Sequence, residues 1–341
     1  MRNYNLQSVS RRTNYKFSVC CLLSAVYCLL VPSLALGSSI GTQTFDFLNL
    51  PTDAKYAGIG GCSMGMIGDP FALFSNPAGL KVETPKLGFA YTQYIAGIQG
   101  GCAAYVLQAA GGTFGAGISY LNYGEFAKMD EYEGDLGTFT PQSLVPVFGY
   151  ARAFGSSLIG VSSKIIYQSI DEYTGIAVAG DIGYSFYPKQ WEGLIIGGTV
   201  QNFGMKLKKF DVTYEDLPTF ARAGISYPLF NKLVQASAEI SFPERDFIFG
   251  VEWIPSEKFA VRGGYYSWGK DLEVGKSMDV FAGLSFGLGF KTDKLSVDYA
   301  LTPKADFGIV NQISLTYLFP ETPEKKPEPE KEIHFKELPS E

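Results

Sequence analysis

From Leu87 to Phe319 apolar side chains recur at every second position, and no stretch carries a convincing 3.6-residue apolar period. A period of two marks a strand with unlike faces. The clearest segment sets Met278, Val280, Ala282, Leu284, Phe286, Leu288 and Phe290 against Asp279, Phe281, Gly283, Ser285, Gly287, Gly289 and Lys291. Val234, Ala236, Ala238, Ile240 and Phe242 alternate with Gln235, Ser237, Glu239 and Ser241 in the same way. Such segments predict fourteen strands, near 87–95, 100–108, 112–121, 143–153, 157–168, 174–187, 193–203, 218–227, 232–242, 245–254, 257–268, 278–290, 294–301 and 309–319. Longer connections fall at 122–142 and 204–217, with a moderate one at 269–277, and the others are short turns. An even number of strands in one meander, with long and short connections on opposite rims, is the pattern of an antiparallel barrel.

Two architectures hold that many strands: a soluble sandwich, propeller or barrel, and an outer-membrane barrel. The first packs its apolar face inward. The second turns that face to lipid, lines its interior with glycine, serine and charge, and must close, because lipid satisfies no open edge. Three features favour the membrane. Aromatic residues gather at strand ends (Tyr184, Phe186, Tyr187; Trp253; Tyr265, Tyr266, Trp268; Tyr317, Phe319), as an interfacial girdle does. The last strand places Ile313, Leu315, Tyr317 and Phe319 on one face, and its end, Tyr317 and Phe319, resembles the signal read by the outer-membrane assembly machinery. Mean hydropathy is near zero, as when half of each strand meets lipid. The expectation is an all-β membrane β-barrel of about 14 antiparallel strands over 87–319, with an N-terminal hatch. The competing account has strand-end aromatics plugging a soluble barrel.

The chain ends change this picture. Arg2, Arg11, Arg12 and Lys16 precede an apolar stretch from Phe17 to Leu36, and Ala35-Leu36-Gly37 offers small residues for cleavage before Ser38. Residues 1–37 read as a secretory signal peptide, the alternative being a retained span of about 20 residues. Its removal takes four positive charges, moving the net charge from −6 to −10, so an acidic exported chain has no nucleic acid as partner. Three of the five cysteines leave with it, and Cys62 and Cys102 either form one bridge or stay as two buried thiols. Residues 320–341 are Pro-rich, with seven acidic and four basic side chains, and read as a disordered tail left in the periplasm.

The candidate chemistry is sparse. The one histidine, His334, lies in that tail, which removes the centre of Ser-His-Asp, Cys-His and His-metal sites, so neither enzyme activity nor a metal or cofactor is expected. Asp130, Glu131, Glu133 and Asp135 match no EF-hand spacing and read as surface charge. Gly58-Ile59-Gly60-Gly61-Cys62-Ser63 lacks both the third glycine and the βαβ unit of a dinucleotide loop. The faces inferred as inward carry Arg152, Lys164, Asp181, Arg222, Glu239, Glu252, Arg262 and Asp298; mixed signs fit either bracing ion pairs or a polar conduit.

Residues 38–86 do not alternate. They contain Leu50-Pro51-Thr52-Asp53-Ala54, Gly58-Ile59-Gly60-Gly61, Asp69-Pro70 and Asn76-Pro77-Ala78-Gly79-Leu80. This series resembles the N-terminal signature of the PorV/PorQ family, outer-membrane proteins related to the FadL-type fatty-acid transporters. Arg262-Gly263-Gly264-Tyr265, Gly287-Leu288-Gly289-Phe290, Asp298-Tyr299-Ala300-Leu301 and the final strand to Phe319 look like that family's closing strands. Further residues after a terminal Phe depart from its pattern. The resemblance makes 38–86 a hatch that blocks the lumen, with Asp53, Gly60, Gly61, Asp69, Asn76, Pro77 and Gly79 as its plug residues. It implies a role in type IX secretion, in which loops 122–142 and 204–217 dock exported cargo and pass it to surface attachment proteins. Outer-membrane lipid is the other expected partner. The alternative is a FadL-like channel passing hydrophobic small molecules sideways through the wall. That reading predicts an interrupted strand and an apolar pocket beside Asn76, and a lumen filled solidly by hatch and ion pairs would count against it.

Overall fold

The computed structural model describes residues 45–129, 135–208, 216–267 and 277–320. The expected signal peptide, residues 38–44 of the hatch, Asp130, Glu131, Glu133, Trp268 and the tail from Glu321 onward lie outside the described residues.

Fourteen strands close into an antiparallel barrel. In chain order these are β1 (Lys86–Gln93), β2 (Gln99–Ala109), β3 (Gly112–Asn122), β6 (Gln142–Phe154), β7 (Ser157–Ile170), β8 (Tyr173–Phe186), β9 (Ile195–Lys208), β10 (Phe220–Leu229), β11 (Val234–Phe242), β12 (Phe247–Ser256), β13 (Phe259–Tyr266), β14 (Leu284–Lys291), β15 (Leu295–Pro303) and β16 (Ile309–Leu318). β1 closes on β16, with Phe89 opposite Leu315 and Gly88 opposite Thr316. β4 (Phe126–Met129) and β5 (Asp135–Phe139) form a separate hairpin inside the connection expected at 122–142. Phe126 stacks on Phe139, and Lys128 reaches Asp171 and Glu172 in the β7–β8 turn, which holds the hairpin over that rim.

The apolar face points outward. Phe89, Ile118, Phe148, Ile165, Val251, Leu288 and Ile313 are all exposed, on seven strands spread around the barrel, while Lys164, Asp181, Arg222, Glu239 and Asp298 are buried within it. In water that outer surface would carry a large hydrophobic cost, whereas acyl chains impose none, so this is the arrangement of a membrane-spanning barrel. Val251→Arg, near the middle of β12, is expected to cost about 2–4 kcal/mol in lipid vesicles, read by denaturant unfolding. The short turns and both barrel ends, Lys86 and Leu318, share one rim. Tyr317 packs edge-on to Phe319, and Phe319 to Tyr105, forming an aromatic corner there.

Two strand expectations need correction. The alternation over 278–290 does not begin a strand at Met278: Ser277–Phe281 is a 3-10 turn, and β14 starts at Leu284. Gly283, at φ +80°, makes the break, and its carbonyl accepts the Tyr266 amide. β9 runs to Lys208 rather than stopping at 203, so part of the connection expected at 204–217 is wall. Its pairing with β8 slips between Gly180 and Ile182 and again between Ile176 and Ala177. Each slip inserts a residue and reverses the facing of the residues beyond it, which hides the continuing strand from a period-of-two reading.

Candidate functional site: the plugged lumen

Residues 45–85 enter the barrel and fill its middle. Short helices at Ala54–Gly58 and Ala72–Ser75 and a 3-10 turn at Pro77–Gly79 provide most of the regular structure there. Such short helices are not stable alone, so the wall must hold them. It does so in two different ways.

On one side the contact is apolar. Phe71, Leu73, Phe74 and Leu80 of the hatch cluster with Val106 of β2, Val145 and Val147 of β6 and Ile166 of β7. The lining of glycine, serine and charge expected of a membrane barrel is absent here, because both faces of these strands are apolar: Val145 and Val147 point in, while Leu144 and Phe148 point out. Only the presence of the hatch distinguishes them.

On the other side the contact is polar. Arg222 donates to the Tyr56 hydroxyl and, at 3.0 Å, to the Gly61 carbonyl. Glu239, diagonally across on β11, accepts the amides of Ser63 and Met64, the latter at 2.8 Å. The turn 56–64 is thus gripped by a cation at its carbonyl and an anion at its amides. Arg262 bridges Glu252 and Asp298 at 2.7 Å each, joining β12, β13 and β15. Lys164 meets Asp181 at 2.9 Å, and Asp181 also accepts the hydroxyl of Ser162 and the amide of Asn202. Arg152 is a correction: it is exposed on the outer face of β6, opposite in parity to buried Val147 and Ala151, and lies over the Phe154 ring at 5.4 Å. Near a strand end a long cation reaches the interface, so alternation there does not mark the lumen.

The plug residues fall into distinct jobs. Asp53 caps the first helix by accepting the Tyr56 amide, and Asp69 accepts the Phe71 amide. Gly60 and Gly61 turn the chain with positive φ, and Gly60 lies against Gly264 of β13. Asn76 caps the turn that starts at Pro77, accepting the Ala78 amide at 3.1 Å. Gly79 passes beneath the Met66 carbonyl, where a Cβ would overlap. Asn76 is enclosed by protein rather than facing an open pocket. Cys62 and Cys102 are both free and buried, so no bridge forms.

Several contributors carry no clear mark in the sequence. Gly160 on β7 and Gly183 on β8 receive the Asn76-Pro77-Ala78 turn so closely that a Cβ at either would collide with it. Gln201 donates to the Phe74 carbonyl, and Asn202, left-handed at φ +59°, donates to Asn49 and to the Pro218 carbonyl. A small residue on the inward parity of a strand is the available signal for the glycines; nothing local marks Asn202.

Asp53 is fully buried, and its second carboxylate oxygen has no hydrogen-bond partner among the described residues. Burial, reinforced by nearby Asp69, pushes its pKa up to about 8. A carboxyl whose folded-state pKa is raised costs stability progressively as pH climbs from about 4, the unfolded-state pKa, to about 8, the folded-state pKa; below this window both states are protonated and above it both are ionised. Asp53→Asn keeps a capping acceptor without that charge. Its thermal midpoint in detergent is therefore expected to rise relative to the parent as pH increases through this window; parallel pH profiles would refute the assignment.

No family profile matches the chain, and no curated protein matches it by sequence. Solved structures do match in fold. The toluene transporter TbuX of Ralstonia pickettii aligns with a TM-score of 0.54 and 15% identity, covering 81% of this chain and 100% of its own. The monoaromatic hydrocarbon channel CymD aligns at 0.56 and 13%, covering 81% and 99%. A deletion mutant of the monoaromatic hydrocarbon channel TodX aligns at 0.56 and 14%, covering 81% and 100%. These likenesses establish a shared barrel fold.

Proposed function

We propose that this chain is an outer-membrane channel for hydrophobic small molecules, shut at rest by its hatch. The observation that carries the reading is the apolar lumen wall behind the hatch. If the lumen were a water conduit, Val106, Val145, Val147 and Ile166 would be poor lining; a hydrophobic cargo would replace the hatch side chains Phe71, Leu73 and Phe74 against them with little loss. The slipped pairing of β9 at Asn202 supports a sideways route, since Gln201 beside it holds Phe74 of the hatch. The fold neighbours named as hydrocarbon channels and a toluene transporter support the same class.

The lumen is filled by hatch and ion pairs and Asn76 is buried against protein, an outcome that counts against the channel reading as the sequence frames it, and the reading therefore rests on a hatch that moves. Transport on this reading needs the apolar half of the hatch to withdraw while the charged half stays anchored. The secretion role implied by the PorV/PorQ resemblance draws no support from the fold neighbours, whose names are those of channels and transporters.

Deleting the gene separates the two readings. Uptake of a monoaromatic hydrocarbon and of a long-chain lipid is expected to slow several-fold while cargo secretion continues; unchanged uptake with lost secretion overturns the channel. Removing Asn202 alone, which takes out one of the two slips in β9, is expected to slow uptake in a barrel that still folds.

A further inference from the structure

Charge is distributed very unequally between the two faces of the wall. Apart from Lys208, the last residue of β9 at the opposite rim, Arg152 of β6 is the one charged side chain that the fourteen barrel strands turn outward. A charge on the lipid face is destabilising at mid-strand and much less so near the interface. Arg152 stands two residues from the end of β6, at the rim that carries the short turns, so it reaches headgroup level.

The guanidinium there is surrounded by rings and meets no anion. It lies 5.4 Å from the centre of the Phe154 ring, and a Cβ at Gly111, in the β2–β3 turn, would come 3.7 Å from one of its nitrogens. Tyr150, two residues earlier on the same face, packs against Phe114 of β3 with ring centres 4.7 Å apart, and its hydroxyl donates to the Ala110 carbonyl, which fixes the turn beside the cation. Phe114 and Phe154 are exposed. Arg262 in the lumen spans two carboxylates, whereas Arg152 forms no ion pair among the described residues.

A bilayer supplies one anion at this depth, the phosphodiester of its lipids. The planar fork of an arginine matches two phosphate oxygens, and the pairing is stronger at the edge of the hydrocarbon than in water. Aromatic side chains at the same level suit the glycerol and upper acyl chain of such a molecule. No barrel strand turns a carboxylate outward to hold a headgroup ammonium, and the guanidinium already covers the Phe154 ring that could hold a quaternary one. A headgroup with net negative charge is therefore the better fit.

We propose that Arg152, with Phe114, Tyr150 and Phe154, binds the phosphate of an anionic phospholipid in the leaflet at this rim. The site lies on the outer wall, away from the hatch, and holds whether or not the barrel passes hydrophobic cargo.

Lipid retention read by native mass spectrometry tests it. The full chain is reconstituted in nanodiscs of equal parts phosphatidylglycerol and phosphatidylcholine, released, and its remaining lipids counted. The parent is expected to keep phosphatidylglycerol several-fold over phosphatidylcholine, Arg152→Gln to keep the two alike, and Arg152→Lys, a point charge without the fork, to fall between them. Because Arg152 is exposed, the neutral variant is expected to fold with the unfolding midpoint of the parent in detergent. Lys189→Gln removes a cation from the β8–β9 turn on the same rim and should leave the preference intact. A preference that survives Arg152→Gln, or that Lys189→Gln removes equally, overturns the proposal. Displacement of the bound lipid by excess inorganic phosphate also overturns it, and would make the site one for a free anion.

Discussion

Gly160→Val and Gly183→Val are expected to produce barrels that assemble but no longer seat their hatch, with ion conductance in planar bilayers rising well above that of the parent. Both positions lie on the inward parity of central strands, where the Asn76-Pro77-Ala78 turn occupies the space a Cβ would need. The obstacle is backbone and a capped side chain rather than a flexible tip, so the turn must move bodily. Overpacking of this kind costs about 1–3 kcal/mol when neighbours can shift. Valine also suits a strand better than glycine, so the wall itself should tolerate the change. Gly263, which has nothing within 4 Å of its Cβ position, provides the control, and Gly263→Val should leave conductance unchanged without loss of stability. Parent-like conductance together with an unaltered protease pattern over 45–85 would refute the idea that these glycines admit the hatch.

Glu239→Ala is expected to be the most damaging single truncation, costing several kcal/mol, because it removes the buried carboxylate that acts electrostatically on buried Arg222 from diagonally across the strand pair. It also strands the amides of Ser63 and Met64, and an unsatisfied buried donor costs about 1–3 kcal/mol by itself. These contributions overlap and do not add. Arg222→Met combined with Glu239→Met removes both charges, so the double variant should lose less than the sum of the two singles. The measurements are denaturant unfolding in detergent and hydrogen exchange of amides 56–64. An additive double variant would mean that the two side chains hold the hatch independently.

Much of the wall could be read directly. Fourteen strands were expected and fourteen close, because a period of two survives wherever one face meets lipid and the other does not. Lys164, Asp181, Arg222, Glu239, Glu252, Arg262 and Asp298 all lie on inward parity, since charge is excluded from a lipid face at mid-strand. Arg152 broke that logic at a strand end, where the exclusion weakens. Met278 to Ala282 kept the alternation without being a strand, since a run of apolar residues with one glycine break also fits a turn.

By itself, then, the sequence determined an antiparallel barrel with an apolar belt, because strand periodicity is a local property of successive side chains. The tertiary structure alone decided which lining is apolar, which glycines receive the hatch, and where β9 slips at Asn202. Each of these depends on a contact between residues far apart in the chain, such as Asn76 with Gly183 or Glu239 with Ser63. The alternation of either partner carries no trace of the other. A two-faced strand announces its faces, but the filling of the barrel is set by packing at a distance.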